Sequence, residues 1–200
     1  TTTNVLDSST GKALYALMSG LEEDQWFYDQ NLERWDIISN LKDWVDTDNM
    51  RSGTNGGFED DLYNRLDDPY LAKNAPFDTM EEIRLVDGWQ DNLFDRYRDQ
   101  LTVFGDPSGK INVTTADDPL IKGIIRACAP TPPPDSTVDT CLEQIALDPF
   151  SGAWNTPKAF SDDIMTKCGV ELDSTCINQR VTNTSKTFTV TSTGIVGTTE

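Results

Sequence analysis

The chain has 200 residues, of which 36% are hydrophobic, and its five Trp and eight Phe are enough for a substantial apolar core. Its formal net charge of −18 argues against nucleic acid and anionic membranes as partners and favours divalent cations or basic proteins. The absence of His excludes Ser/His/Asp, Cys/His and His-ligated metal mechanisms. No apolar run approaches the roughly 20 residues that cross a bilayer, and no signal peptide is present. The chain opens abruptly on Thr1-Thr2-Thr3, from which we expect a trimmed, soluble ectodomain.

Apolar residues at spacings of three and four predict helices in the N-terminal half. The first covers about residues 9–21, the second runs over 33–45, and a short third helix follows around residues 62–66. Residues 74–101 form two helical segments around a turn at Gly88, which is the pattern of a helix-hairpin-helix. Acidic residues flank this hairpin, which argues against DNA contact and favours a structural role.

Strand and loop patterns dominate the rest of the chain. Residues 101–105 and 110–113 bracket a turn rich in Gly and Pro and predict a β-hairpin. Thr115 or Asp117 is expected to cap a following helix that has a Pro near its start. Residues 129–140 are loop by composition.

The C-terminal tail and the order of the elements decide the fold class. Alternation from Lys186 onward predicts half-buried strands. Helices first and strands last indicate an α+β fold rather than alternating βαβ units. We therefore expect a helical domain at residues 1–126, followed at residues 127–200 by a Cys-containing loop region and β-strands.

The cysteines all lie in the second half of the chain; they are Cys128, Cys141, Cys168 and Cys176. Their even number in loop-like sequence, without a Cys-x-x-Cys motif, favours disulfides and an oxidising compartment over a zinc site. Three connectivities are possible. Sequential pairing closes the shortest loops and is the prediction, with four free buried thiols as the alternative.

The most unusual stretch is DWVDTDNMRSGTNGGFEDD, residues 43–61. Acids alternate at the end of a predicted helix, where they oppose the helix dipole, and more acids follow a Gly-rich tract. Like charges would force such a loop open unless a cation binds, and Ca²⁺ prefers oxygens from flexible loops. The EF-hand pattern is not met, because its twelfth position is Gly57. Residue chemistry alone leaves either a different kind of calcium loop or a solvated acidic loop.

Several motifs together resemble minor pseudopilin K of bacterial type II secretion systems (general secretion pathway protein K, GspK). The matching elements are Asp-Trp-Val-Asp-Thr-Asp at 43–48, Gly-Phe-Glu-Asp at 57–60, Pro-Tyr at 69–70, Asn-Ala-Pro at 74–76 and the hairpin Glu-Ile-Arg through Gly at 82–88. The resemblance covers about residues 38–126, and the tail FTVTSTGIVG is similar to a terminal pilin strand. Phe58 stands where the family has a small residue, Thr114 replaces a family Asn, and residues 128–176 match no family segment.

The resemblance implies a pilin-like β-sheet with a large inserted all-helical domain. It implies a non-enzymatic structural subunit at the periplasmic tip of the secretion pseudopilus, anchored in the inner membrane by an N-terminal helix that this chain does not include. Its implied partners are minor pseudopilins of the I and J types, with secreted cargo and the outer-membrane secretin as further contacts.

The resemblance also implies calcium in the acidic loop of the inserted domain. Carried over residue by residue, the side-chain ligands are Asp46, Asp48, Glu59 and Asp60. Asp43 and Asp61 flank this set, and Asp61 lies beyond the matching motif.

Two functions of other classes stay open at this point. One is a secreted carbohydrate hydrolase that uses paired carboxylates, a signal weakened by the 34 acidic residues, which make such pairs unavoidable. The other is an adhesin-like binding module.

Overall fold

The structure is a computed structural model that describes residues 9–52, 56–105, 108–148, 153–188, 190 and 192–194. In chain order, its elements are α1 (Ser9–Leu17), α2 (Leu21–Asp29), α3 (Arg34–Val45), α4 (Asp60–Tyr63), a 3₁₀ helix (Met80–Leu85), α5 (Asp91–Tyr97), β1 (Ile111–Asn112), α6 (Asp118–Cys128), α7 (Asp135–Leu147), α8 (Pro157–Cys168), α9 (Ser174–Arg180) and β2 (Val181–Thr182). Over these described residues the fold is mostly helical with one small sheet, consistent with the predicted α+β class.

The predicted helices form, with different bounds in two cases. The first, predicted to run over residues 9–21, ends at Leu17, and the unpredicted α2 begins at Leu21; the short helix predicted around residues 62–66 lies at Asp60–Tyr63. α3 begins one residue after the predicted start and ends at the predicted residue. α6 is capped by Asp117, whose carboxylate accepts a hydrogen bond from the Leu120 N–H at 3.1 Å. Pro119 sits in the first turn, where a missing N–H is harmless.

The predicted helix-hairpin-helix is not confirmed. Its first limb is the 3₁₀ helix, and α5 follows after a turn at Gly88. Gly88 has φ +84°, and a Cβ there would overlap the Ile37 side chain of α3. The turn is thus shaped by close packing against α3.

The predicted β-hairpin is wrong. Only residues 111–112 of its two limbs form a strand, and this strand, β1, pairs in parallel with β2, Ile111 opposite Val181. Parallel strands cannot be joined by a tight turn. The prediction failed because a strand pattern in a sequence does not show which other strand it pairs with. Among residues 186–188, 190 and 192–194 the structure has no strand, while the rest of the predicted terminal strand region lies outside the described residues.

The segment predicted as loop and β-rich contains three helices, α7, α8 and α9. The Pro-rich stretch ends at Pro134, and α7 begins at the next residue. Ser, Thr and Cys at many positions hid the helical period. The division of the chain at residue 126 stays a prediction.

The sequential disulfide pairing is wrong. The structure has Cys128–Cys176, with Cα atoms 5.5 Å apart, and Cys141–Cys168, with Cα atoms 5.0 Å apart. Short loops are favoured in the unfolded chain, but the folded pairing follows helix packing, in which α6 lies against α9 and α7 against α8.

Two apolar clusters form the core. The N-terminal cluster contains buried residues between Leu17 and Tyr97, and the C-terminal cluster contains buried residues between Val113 and Val181. α1 packs against α6, where a Cβ on Gly123 would lie 3.3 Å from the Leu17 Cα. None of the helices in the described ranges has the length and apolar character that a bilayer span requires.

Candidate metal centre

The C-terminal end of α3 presents two carboxylates. Asp43 lies in the last turn and is 2% exposed, and Asp46 is the residue that caps the helix. Side chains three apart on a helix share a face. Between them, Trp44 is buried, donates a hydrogen bond to Glu82 Oε1 at 3.1 Å and packs edge-on against Tyr63. This anchoring fixes the direction of both acids.

The loop after α3 turns back on itself and returns to the helix end. Met50 and Phe58 form an antiparallel bridge, flanked by hydrogen bonds from Arg51 N to Gly57 O at 3.1 Å and from Glu59 N to Asn49 O at 3.2 Å. Two glycines allow the reversal, because Gly56 has φ +57° and Gly57 has φ +98°. The hairpin-like loop therefore carries Glu59 to the two acids of α3.

Asp43, Asp46 and Glu59 form what we call the carboxylate trio. Each offers an oxygen, and these oxygens all lie within 4.8 Å of one another. Glu59 is 1% exposed, yet neither of its oxygens accepts a hydrogen bond from any described residue. Oδ1 of Asp46 is buried and unpartnered in the same sense. Buried carboxylates without partners are strongly disfavoured, so the trio is incomplete as a purely protein structure.

Only part of this charge is compensated. The Asp43 carboxylate accepts hydrogen bonds from Ser52 N, 3.0 Å from each oxygen. Lys42 Nζ is 3.5 Å from Asp46 Oδ2 and donates a hydrogen bond to Ser52 Oγ at 2.6 Å. Lys42 supplies one positive charge at the edge of the trio, which leaves most of three negative charges unbalanced.

The acid–base properties of the trio reflect this imbalance. Burial, together with the charges of the neighbouring acids, raises the pKa of Glu59 to about 7. Burial also raises the pKa values of Asp43 and Asp46, with a smaller contribution from a neighbouring Asp in each case. The site thus holds carboxylates in surroundings that oppose their ionisation, through burial and like charge.

The predicted ligands fall into two groups. Asp46 and Glu59 are members of the trio. Asp48 is exposed and accepts a hydrogen bond from Met50 N at 2.8 Å, and Asp60 accepts one from Ala72 N at 3.1 Å. Both add negative potential at Glu59 but serve as turn and loop anchors. Their role as ligands stays a prediction.

Asp43 is the member of the trio that the predicted ligand set did not include. The signal in the sequence was its helical spacing of three from Asp46. The spacing alone does not show that the Asp43 side chain is buried. Asp61, which also flanks the set, is exposed on α4.

The trio fits a calcium ion. Calcium takes six to eight oxygens, and two oxygens on opposite sides, each about 2.4 Å from the ion, are about 4.8 Å apart. The trio oxygens, all within 4.8 Å of one another, are therefore close enough to share one coordination sphere. The unpartnered oxygens of Glu59 and Asp46 are hard anionic donors, the type that calcium prefers.

The part of the chain that contains the trio matches a known protein family. Residues 3–106, which include it, match the family described as type II secretion system (T2SS), protein K. Type II secretion system protein K of Pectobacterium carotovorum subsp. carotovorum is 31% identical over 91 residues, 44% of this chain and 27% of that protein. The Klebsiella pneumoniae protein of the same name is 32% identical over 79 residues, 40% of this chain and 24% of that protein. Each match thus spans about a quarter of the relative's length.

A solved structure has a similar fold. It is the crystal structure titled as the GspK-GspI-GspJ complex from the type 2 secretion system of enterotoxigenic Escherichia coli, with a TM-score of 0.57 and 19% identity. The likeness covers 88% of this chain and 57% of that one, a larger share of this chain than the family match over residues 3–106. The family match covers more than half of the 200 residues, and the chain belongs to the family of type II secretion system protein K.

Proposed function

We propose that this chain is a non-enzymatic structural part of a minor pseudopilin, located on the periplasmic side at the tip of a type II secretion pseudopilus. It assembles there with minor pseudopilins of the I and J types. Family membership supports this proposal, and so does the fold shared with a chain from a structure titled as a complex of three such proteins. Cargo and the secretin remain further candidate contacts.

The second part of the proposal is that the carboxylate trio holds calcium. The observation that carries it is Glu59, a fully buried carboxylate whose oxygens have no described partner. When bound, calcium supplies the positive charge that lets all three carboxylates ionise while buried. Backbone carbonyls of the loop, Asp48 and water are candidates for the remaining coordination positions.

Bound calcium would link the end of α3 to the start of α4 through the trio. Asp43 and Asp46 belong to the end of α3, and Glu59 directly precedes α4. Holding these ends together keeps the loop between them closed, since the like charges no longer repel. A rigid helical head of this kind presents a constant surface to partner subunits, which lowers the entropic cost of assembly.

The tail after β2 supports the pilin-like part of the proposal. Phe188 is 74% exposed and Val190 is 87% exposed, at alternating positions of the segment that resembles a pilin strand. Apolar residues with this period require a sheet to cover one face. We assign that cover to a pilin-like sheet in which this tail is a strand.

The hydrolase alternative has one observation in its favour and one against it. A carboxyl with a pKa of about 7, as at Glu59, resembles a general acid. However, Glu59 is 1% exposed, so a glycan could not reach it. Hydrolysis of a glycan panel that is lost in a Glu59→Gln variant would favour the enzyme.

Co-purification tests the assembly. The chain is co-expressed with I- and J-type minor pseudopilins of the same secretion system and captured through a tag, in calcium and in chelator. We expect a complex in calcium, weakened by chelator and by Glu59→Gln, with Asp61→Asn as the matched acidic control. A folded chain that captures neither partner under any condition contradicts the assembly. Equal capture in calcium and chelator contradicts the calcium part alone, and capture of a non-pilin ligand instead favours the adhesin-like alternative.

A further inference from the structure

The two disulfides are nested along the chain. Cys141–Cys168 has a sequence separation of 27 and lies inside Cys128–Cys176, which has a separation of 48. The outer bond joins the last residue of α6 to α9, and the inner bond joins α7 to the last residue of α8. The first cysteine of the chain is therefore bonded to the last one.

Oxidation of the unfolded chain favours different bonds. The probability that two cysteines meet falls as about the 3/2 power of their separation. Cys128 is far closer to Cys141, and Cys168 to Cys176, than the native partners are to each other. These separations favour the consecutive pairs over the nested native pairs on the order of 10-fold, because closing the inner native bond shortens the outer loop. Synthesis from the N-terminus adds to this bias, because Cys141 is exposed to oxidant before Cys176 exists.

A chain with consecutive bonds lacks both covalent links of the native C-terminal cluster, α6 to α9 and α7 to α8. In the folded chain, Asp173 N donates a hydrogen bond to Cys128 O at 2.8 Å, and α9 lies against α6. α9 leads directly into β2, which pairs with β1 and so links the end of this region to the strand before α6. A Cys128–Cys141 bond removes the covalent link that holds α9 to α6 in this arrangement.

Burial protects one sulfur of each native bond from the reverse exchange. Cys128 and Cys141 are each 2% exposed in the folded chain, so one sulfur of each native bond is shielded from an attacking thiolate. In a mispaired chain whose C-terminal cluster has not formed, every disulfide sulfur is open to exchange. Thiol–disulfide exchange needs direct access to a sulfur, so an exchange catalyst acts faster on wrong bonds than on native bonds, in which only the half-buried Cys168 and Cys176 are accessible.

We propose that this chain is a substrate of a thiol–disulfide isomerase, which converts Cys128–Cys141 and Cys168–Cys176 into the native pairs. The isomerase thiolate attacks Cys176 Sγ, which forms a mixed disulfide and releases the Cys168 thiolate. Cys168 attacks Cys141 Sγ and releases the Cys128 thiolate, which then attacks Cys176 Sγ and releases the isomerase. The number of disulfides in the chain stays constant, and no oxidant or reductant is consumed. The reaction class that must precede this step is dithiol oxidation.

Refolding of the reduced chain tests the proposal. The full chain is oxidised by a bacterial dithiol oxidase, with and without a bacterial disulfide isomerase, and the bonds are mapped by non-reducing proteolysis and mass spectrometry. With oxidase alone we expect Cys128–Cys141 to dominate, and with isomerase we expect the yield of Cys128–Cys176 to rise by about 10-fold. Native bonds at the same rate and yield without isomerase overturn the proposal. The result does not depend on pseudopilus assembly, because the chain is studied alone.

Two double variants separate exchange from general assistance in folding. Cys128→Ser/Cys176→Ser leaves only the inner pair, and Cys141→Ser/Cys168→Ser leaves only the outer pair. Neither variant offers a wrong partner, so both should oxidise at a rate that the isomerase does not change. Acceleration of either variant by the isomerase contradicts the exchange mechanism. Because bond formation itself is measured, the test holds even where a variant is less stable.

Discussion

Glu59 and Asp135 are two carboxylates at junctions between helices, and their surroundings are opposite. Glu59 is buried among other acids and has no described partner. Asp135, at the start of α7, accepts hydrogen bonds at 2.6 Å from Arg126 on one oxygen and from Leu21 N on the other. It thereby connects α7 of the C-terminal cluster with the first residue of α2.

The comparison shows that hydrogen-bonding and cationic partners can reverse the effect of burial on a pKa. Burial acts to raise the pKa of both groups. At Asp135, the Leu21 N–H and the Arg126 guanidinium outweigh burial and lower the pKa, whereas at Glu59 the neighbouring acids add to burial. The Asp135 site is complete within the chain. The negative charge of the carboxylate trio is balanced in the same way only when a cation binds it.

Calcium should therefore have the largest effect on stability. A ligand that binds only the folded state adds about 4 kcal/mol at about 1,000 times its dissociation constant. For a chain of this size we expect the melting temperature to rise by about 10 °C between chelator and saturating calcium. Calorimetry in matched buffers measures the shift.

Glu59→Gln provides the control for this effect. The amide cannot supply the anionic oxygens of a ligand, so the calcium-dependent shift should largely disappear. An unchanged calcium-dependent rise in melting temperature in this variant would show that the trio does not bind the ion. An absent shift in the parent chain would contradict calcium binding altogether.

The second prediction concerns pH in the presence of chelator. The pKa of Glu59 is about 7 in the folded chain against 4.5 for the ordinary group. Its contribution to stability is therefore fully present below pH 4.5 and is lost as the pH rises through about 7. The shift corresponds to about 3 kcal/mol.

Urea unfolding at pH 5 and pH 8 measures this loss. The parent chain should lose stability relative to Glu59→Gln between the two values, because the amide does not ionise. The difference between the two proteins cancels the effect of the large overall net charge. Parallel behaviour of parent and variant would show that Glu59 is not held against its ionisation.

The sequence predicted the trio only in part, for a physical reason. The acid pattern and the glycines identified the loop, and two of the predicted ligands, Asp46 and Glu59, meet at its base. Asp43 was left aside, because its burial depends on how Trp44 anchors the end of α3 and on the contact with Ser52 N. Such contacts between distant elements leave no local trace in a sequence.

The same limit explains the errors in the C-terminal half. α3 and α6 were predictable because their apolar stripes and caps are local. The partner of β1 lies 70 residues along the chain, at Val181 opposite Ile111. The disulfides were predicted from loop length, which describes the unfolded chain, whereas the helix packing that selects the native pairs is a property of the fold.

The third prediction tests the complete site. Asp135→Asn removes the charge that pairs with Arg126, a pair whose side chains are only 21% and 11% exposed. Hydrogen bonds to charged groups at such positions contribute about 2 kcal/mol, and we expect a loss of that order. Urea unfolding at pH 7 measures it.

The pH dependence of this contribution should be opposite to that of Glu59. Since the folded pKa of Asp135 lies below its ordinary value of 3.8, its stabilisation is present above that value and is lost as the pH falls through the folded pKa. Calcium should leave the Asp135→Asn deficit unchanged. A deficit that disappears in calcium would show that the two sites are coupled.

The smallest effect should come from Asp61→Asn, which changes one charge on the exposed side of α4. Exposed substitutions of this kind usually change stability by less than about 0.5 kcal/mol. Because Asp61 is not part of the trio, the variant should keep the full calcium-dependent rise in melting temperature. Titration calorimetry of the variant measures the affinity directly. A loss of affinity comparable to that of Glu59→Gln would extend the ligand set to the last acid of the loop, and the trio would then be only one part of a larger coordination site.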